Sequence, residues 1–113
     1  MTIAIKCCRA VAELHSMEVV HGDLNSENIL IDDKLDVKLI DFDNSSIEGS
    51  SVIAGGHPDF VTGEFLSKIE NGKKIKSSFK NDLYSLALCC FLLLGDNEKK
   101  FAVSMTEELP LST

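Results

Sequence analysis

Residues 83–94, LYSLALCCFLLL, constrain the fold more than any other stretch, because a helix that is apolar on almost every side can sit only inside a domain. The run is about a dozen residues long, against about 20 for a helix that crosses a bilayer, so it predicts a buried central helix. Ser78 is placed to cap its N-terminus, and Gly95 stands where a helix end uses positive φ. The chain has 113 residues, 44% hydrophobic and 26% charged. Such a chain buries about two thirds of its unfolded surface, enough to enclose one central helix in one domain.

The elements around that helix follow from spacing and turn chemistry. Ile3, Cys7, Val11 and Leu14 recur every three or four residues and predict one buried face of a helix from Ile3 to Met17. NILID (28–32) and DVKLID (36–41), rich in Ile, Leu and Val and separated by polar residues, predict a short β-hairpin. Residues 43–59, crowded with Ser, Gly, Asn and Asp, predict a long loop. A short helix is expected from Thr62 or Gly63, carrying Phe65, Leu66 and Ile69 and stopping at Asn71-Gly72. The Lys-rich stretch 68–80 is expected to be a solvated loop. Residues 96–113 show only a weak helical segment before Pro110 and predict a weakly structured tail.

Charge narrows the function classes. Eleven basic residues face eighteen acidic ones, a net charge of −7, and only Arg9 is an arginine. Phosphate backbones and anionic lipid need a basic face, so neither nucleic acid nor membrane is expected as a partner. The first sixteen residues lack the basic prefix, unbroken apolar stretch and cleavage site of a signal peptide, which predicts a cytoplasmic address. The cysteines form two adjacent pairs, Cys7-Cys8 and Cys89-Cys90, inside apolar segments. Neighbours on a helix point in different directions, so reduced, packed thiols are expected in place of a CxxC site.

The chemistry-bearing residues lie between the first helix and the hairpin. His21-Gly22-Asp23 leads to Asn28 at the mouth of the hairpin, whose far end delivers Asp41-Phe42-Asp43. This arrangement resembles the protein kinase family, whose catalytic loop reads HRDLKxxN and whose metal motif reads DFG. GHPDFVTGE (56–64) is similar to the family's peptide-binding stretch ending in APE, and NDLYSLA (81–87) to the start of its large central helix. Four such motifs in family order are far more specific than any one.

The resemblance implies a fold that is mainly α with a short β-hairpin: the kinase-like C-terminal lobe, residues 1–95, with the N-terminal ATP-clamping lobe absent. It implies that Asp23 is the base that accepts the proton of the attacking hydroxyl, and that Asn28 and Asp41 bind Mg-ATP through the metal. Asn25 occupies the catalytic-loop position where the family usually carries a lysine on the transferred phosphate; an amide lacks that charge, which slows the chemistry. His21 and Asp82 are implied to be structural, Asp82 fixing the catalytic-loop backbone. Gly22 replaces the family's arginine, which implies no activation by loop phosphorylation. Asp43 replaces the glycine of DFG, where it either helps to hold metal or repels the nucleotide.

No glycine-rich loop or VAIK-like lysine precedes the first helix in these 113 residues, and no later arginine is available to pair with Glu64. Half a nucleotide site forgoes much of the transition-state electrostatics, so a chain inactive alone is expected, along with exposed apolar surface on the hairpin and central helix. Its partner is then a protein substrate, or a chain that supplies an ATP lobe. The expected function is phosphoryl transfer from Mg-ATP to a protein Ser/Thr hydroxyl. The alternatives are a pseudokinase-type binding module, or a small-molecule phosphotransferase of the aminoglycoside type, which HGD followed by IDFD also resembles.

Overall fold

The computed structural model describes residues 2–93. In chain order these form α1 (Ile3–Ser16), β1 (Val19–Val20), β2 (Ile29–Ile31), β3 (Val37–Leu39), β4 (Ser46–Ile47), β5 (Ser51–Ile53), a 3-10 turn (Pro58–Phe60), α2 (Gly63–Glu70), β6 (Lys74–Lys76) and α3 (Phe79–Leu93). Gly95 and the tail 96–113 lie outside the described residues.

The core forms where α1 crosses α3. Thr2 caps α1 by accepting the Ile5 N–H at 3.2 Å, and Cys7, Val11 and Leu14 are its buried residues. Cys7 and Val11 meet Leu86, Cys89 and Cys90 of α3, with Leu24, Ile29 and Phe60 completing the cluster. Val11 and Leu24 are almost wholly enclosed, each worth about 1.5–3 kcal/mol relative to exposure. At the end of α3 the enclosure stops: Leu92 and Leu93 are exposed, as are Leu30 and Ile31 of the hairpin. Among the described residues no helix is long and apolar enough to cross a membrane.

β2 and β3 pair antiparallel with Ile29 opposite Leu39. The turn is built by Asp32, whose Oδ1 accepts the N–H groups of Lys34 and Asp36, both at 2.9 Å, while Leu35 takes positive φ.

Two further pairings were not foreseen. Residues 43–59 are not a loop throughout: β4 pairs with β1, β5 pairs with β6, and the 3-10 turn follows. The Lys-rich stretch is likewise no plain loop, since it holds the end of α2, all of β6 and the start of α3. Strands of two or three residues carry too little periodicity to be seen in sequence; their partners, 25 or so residues away, create them.

Candidate active site

The site begins where α1 ends. Glu18, at positive φ, turns the chain into β1, and the loop 21–28 then runs back across the N-terminal end of α3. Asp82 holds it there. Its carboxylate, 2% exposed, accepts the backbone N–H of His21 at 2.7 Å and of Gly22 at 3.0 Å, and receives His15 Nε2–H at 2.8 Å. A buried carboxylate is tolerable only when so satisfied. His15 also stacks on Phe79, ring centroids 4.3 Å apart, so α1, the loop and α3 meet at one carboxyl group.

His21 is the second clamp. Asp23 N–H donates to its Nδ1 at 3.1 Å, so the ring proton sits on Nε2 and is donated to the Ile40 carbonyl at 2.8 Å. Ile40 N–H in turn donates to the Asn28 carbonyl at 3.0 Å. Ile40 is thus tied on both sides to the loop, and Asp41 follows it directly. Phe42 lies over the His21 ring, centroids 4.9 Å apart.

Asp23 and Asn28 touch: Asn28 Nδ2 donates to the Asp23 carbonyl at 2.8 Å and to its Oδ2 at 3.4 Å. Asn25 Nδ2 donates to the same carbonyl at 3.1 Å and to Oδ1 at 3.3 Å, while its Oδ1 accepts the Glu27 N–H at 2.8 Å. Asn25 is buried and its amide is spent within the loop, so it braces Asp23 and does not reach outward. Asn28 offers its remaining Oδ1 and Asp41 an exposed carboxylate, an all-oxygen donor pair suited to a hard cation. Among the described residues no three His, Cys, Asp or Glu side chains gather as a ready-made metal cage.

Asp41 adopts φ 60°, a left-handed conformation that a side chain makes costly by about 1–3 kcal/mol. Aspartate tolerates it better than most residues, and the two Ile40 bonds hold it. Asp43 is also exposed, its N–H aimed at Asp41 Oδ1 from 3.4 Å.

Gly22, expected to matter only as a missing arginine, has a second role. It sits at φ 86°, and any Cβ there would run into the Asn44 carbonyl oxygen. The segment after Asp43 packs directly on the catalytic-like loop, which no side chain at position 22 allows. Sequence reasoning also missed the role of His15, whose signal was its place in the last turn of α1. Ser85, missed too, donates from Oγ to the Phe60 carbonyl at 2.6 Å, pinning the 56–64 stretch to α3.

Comparison with known proteins follows the same lines. The family model described as "Protein kinase domain" matches residues 1–108. Serine/threonine-protein kinase MRCK gamma of Mus musculus is 34% identical over 104 residues, covering 87% of this chain and 7% of that protein. The chain spans between 6 and 14% of the length of the curated relatives it matches. Among solved structures, the Toxoplasma gondii rhoptry antigen kinase domain has a TM-score of 0.76 at 16% identity, covering 92% of this chain and 37% of its own. ROP2 from Toxoplasma gondii, described as a virulence factor with a protein-kinase fold and no enzymatic activity, has a TM-score of 0.67 at 25% identity, covering 79% and 24%.

Proposed function

This chain belongs to the protein kinase family, and we propose that residues 21–43 form the phosphoryl-transfer half of a Mg-ATP site acting on protein serine or threonine hydroxyls, inactive until a further segment or partner chain clamps the nucleotide. The observation that carries this is the contact of Asn28 with Asp23 beside a backbone clamp that ends at Asp41. Asp23 faces the acceptor hydroxyl, orients it and takes its proton. Asn25 acts through Asp23 as a positioning residue, holding carbonyl and carboxylate together.

The donor set fits the cation. Asn28 spends Nδ2 on Asp23 and would hold the metal through Oδ1, and Asp41 would supply a carboxylate. Mg²⁺ takes one or two protein oxygens and completes its shell with water and phosphate. When bound, Mg-ATP supplies the phosphoryl group and neutralises the charge that develops on its oxygens. The left-handed backbone of Asp41 supports the assignment, since strain of this kind gathers at functional positions.

A pseudokinase-type binding module is the second reading. Asn25 offers no charge to a transferred phosphate, and the exposed Asp43 adds a negative one near the donor pair. ROP2, similar in fold, is itself described as having no enzymatic activity. Titration calorimetry of the purified chain with ATP, with and without Mg²⁺, separates the two. Weak, Mg²⁺-dependent binding that Asp41→Ala removes supports the enzyme half-site. No binding by the parent chain overturns it and leaves the module.

A further inference from the structure

The Lys-rich stretch has no place in the site just described, yet the fold gathers it into a feature. Residues 68–80 carry five lysines against one glutamate, a basic island in a chain of net charge −7. Lys68 on α2, Lys76 on β6 and Lys80 in the first turn of α3 line an open groove of about 380 Å³. Three separate elements bring three lysines to one concavity.

The groove has a rigid floor. Gly49 N–H donates to the Ser77 carbonyl at 2.7 Å, Ser77 N–H to the Ser50 carbonyl at 2.8 Å, and β5 pairs with β6 residue by residue. Ser77 is buried and its hydroxyl meets that of Ser46. The one carboxylate in the lining, Glu48, is held by the Phe79 N–H at 2.7 Å, where it caps α3. Lys68 meets Glu64 only at 4.0 Å, with both side chains well exposed, a contact weak enough to be exchanged for a better one. Half-buried Phe65 gives the groove an apolar wall.

We propose that this groove docks an acidic segment of a protein partner, Lys68 and Lys76 pairing with its anionic side chains and Phe65 packing on an apolar one. Charge complementarity selects the occupant: the island is too small for a nucleic-acid backbone and the rest of the chain repels one. A short peptide needs only the groove. The opposite charges speed encounter and fix register more than they add affinity. The groove's lining includes no residue of loop 21–28, so an acidic segment can dock there whether or not the chain transfers phosphate.

Fluorescence anisotropy tests it with labelled peptides that hold one leucine among glutamates, among glutamines or among phosphoserines. The glutamate peptide should bind and the glutamine peptide should not; the phosphoserine peptide shows whether phosphate or carboxylate is preferred as the anion. Lys68→Gln and Lys76→Gln together should weaken binding about fivefold, as two weak pairs acting at once, and raising salt should do the same. Lys34→Gln with Lys38→Gln, outside the groove, should change nothing. Thermal unfolding of each variant confirms a folded chain. Equal binding of the glutamine peptide, an unchanged double variant, or tighter binding of single-stranded DNA overturns the proposal.

Discussion

Replacing Asp82 with alanine removes the group on which three parts of the fold converge. The carboxylate is 2% exposed and accepts from His21 N at 2.7 Å, Gly22 N at 3.0 Å and His15 Nε2 at 2.8 Å. Each buried donor left unpaired costs about 1–3 kcal/mol, and loss of one partner of a buried ionic network costs about 3–5 kcal/mol in total. The three donors act as one network, so the second figure is the one to expect. Against a total stability of about 5–15 kcal/mol this is a large share. With a urea slope of about 1 kcal/mol/M, the midpoint should fall by about 3 M or more, or the folded baseline should vanish. Asp82→Asn keeps the shape and one acceptor oxygen but turns an NH₂ toward a donor, so it should cost about 1–3 kcal/mol and stay measurable. Hydrogen exchange at the His21 and Gly22 amides should accelerate in the asparagine variant. A loss below about 1 kcal/mol for the alanine variant would show that the loop is held by packing and that the reasoning fails.

Two further outcomes follow from the same geometry. Gly22→Ala should lose about 2–4 kcal/mol in urea unfolding, from positive φ and collision with the Asn44 carbonyl, whereas Gly49→Ala, at similar φ in open space, should lose only about 1 kcal/mol; equal losses would refute the collision. Among the thiols, a hydrogen bond from Cys90 holds Cys8 below its ordinary value and, with burial adding to it, raises Cys90, while burial pushes Cys89 up to about 12 and raises Cys7. Cys8 therefore carries more thiolate at neutral pH than the other three, and iodoacetamide should label it first, faster as pH rises. Cys90→Ala should move that profile to higher pH; uniform labelling of all four cysteines at neutral pH would contradict it.

The central helix, the first helix and the hairpin were legible in the sequence because each depends on local periodicity or turn chemistry. Apolar residues on nearly all sides of α3 leave it no place but the interior, and Asp32 writes its own turn at the hairpin. The kinase-like order of His21, Asp23, Asn28, Asp41 and Asp82 was equally plain, since motif spacing survives in one dimension. What these residues do to one another was not. That Asn25 is spent bracing Asp23, that His15 shares Asp82 with the loop, and that Gly22 is empty so that Asn44 can approach are contacts between segments 2 to 67 residues apart.

The same division explains the errors in 43–59 and 68–80. A strand of two or three residues has no periodicity of its own; β4 exists because β1 is beside it, and β6 because β5 is. Sequence by itself determined which residues follow the kinase motif order and which helix must be inside, since both follow from residue type and spacing. Only the tertiary structure decided that three lysines share one groove and that a single buried carboxylate ties α1, the loop and α3 together, because distance in space is set by packing and has no counterpart along the chain.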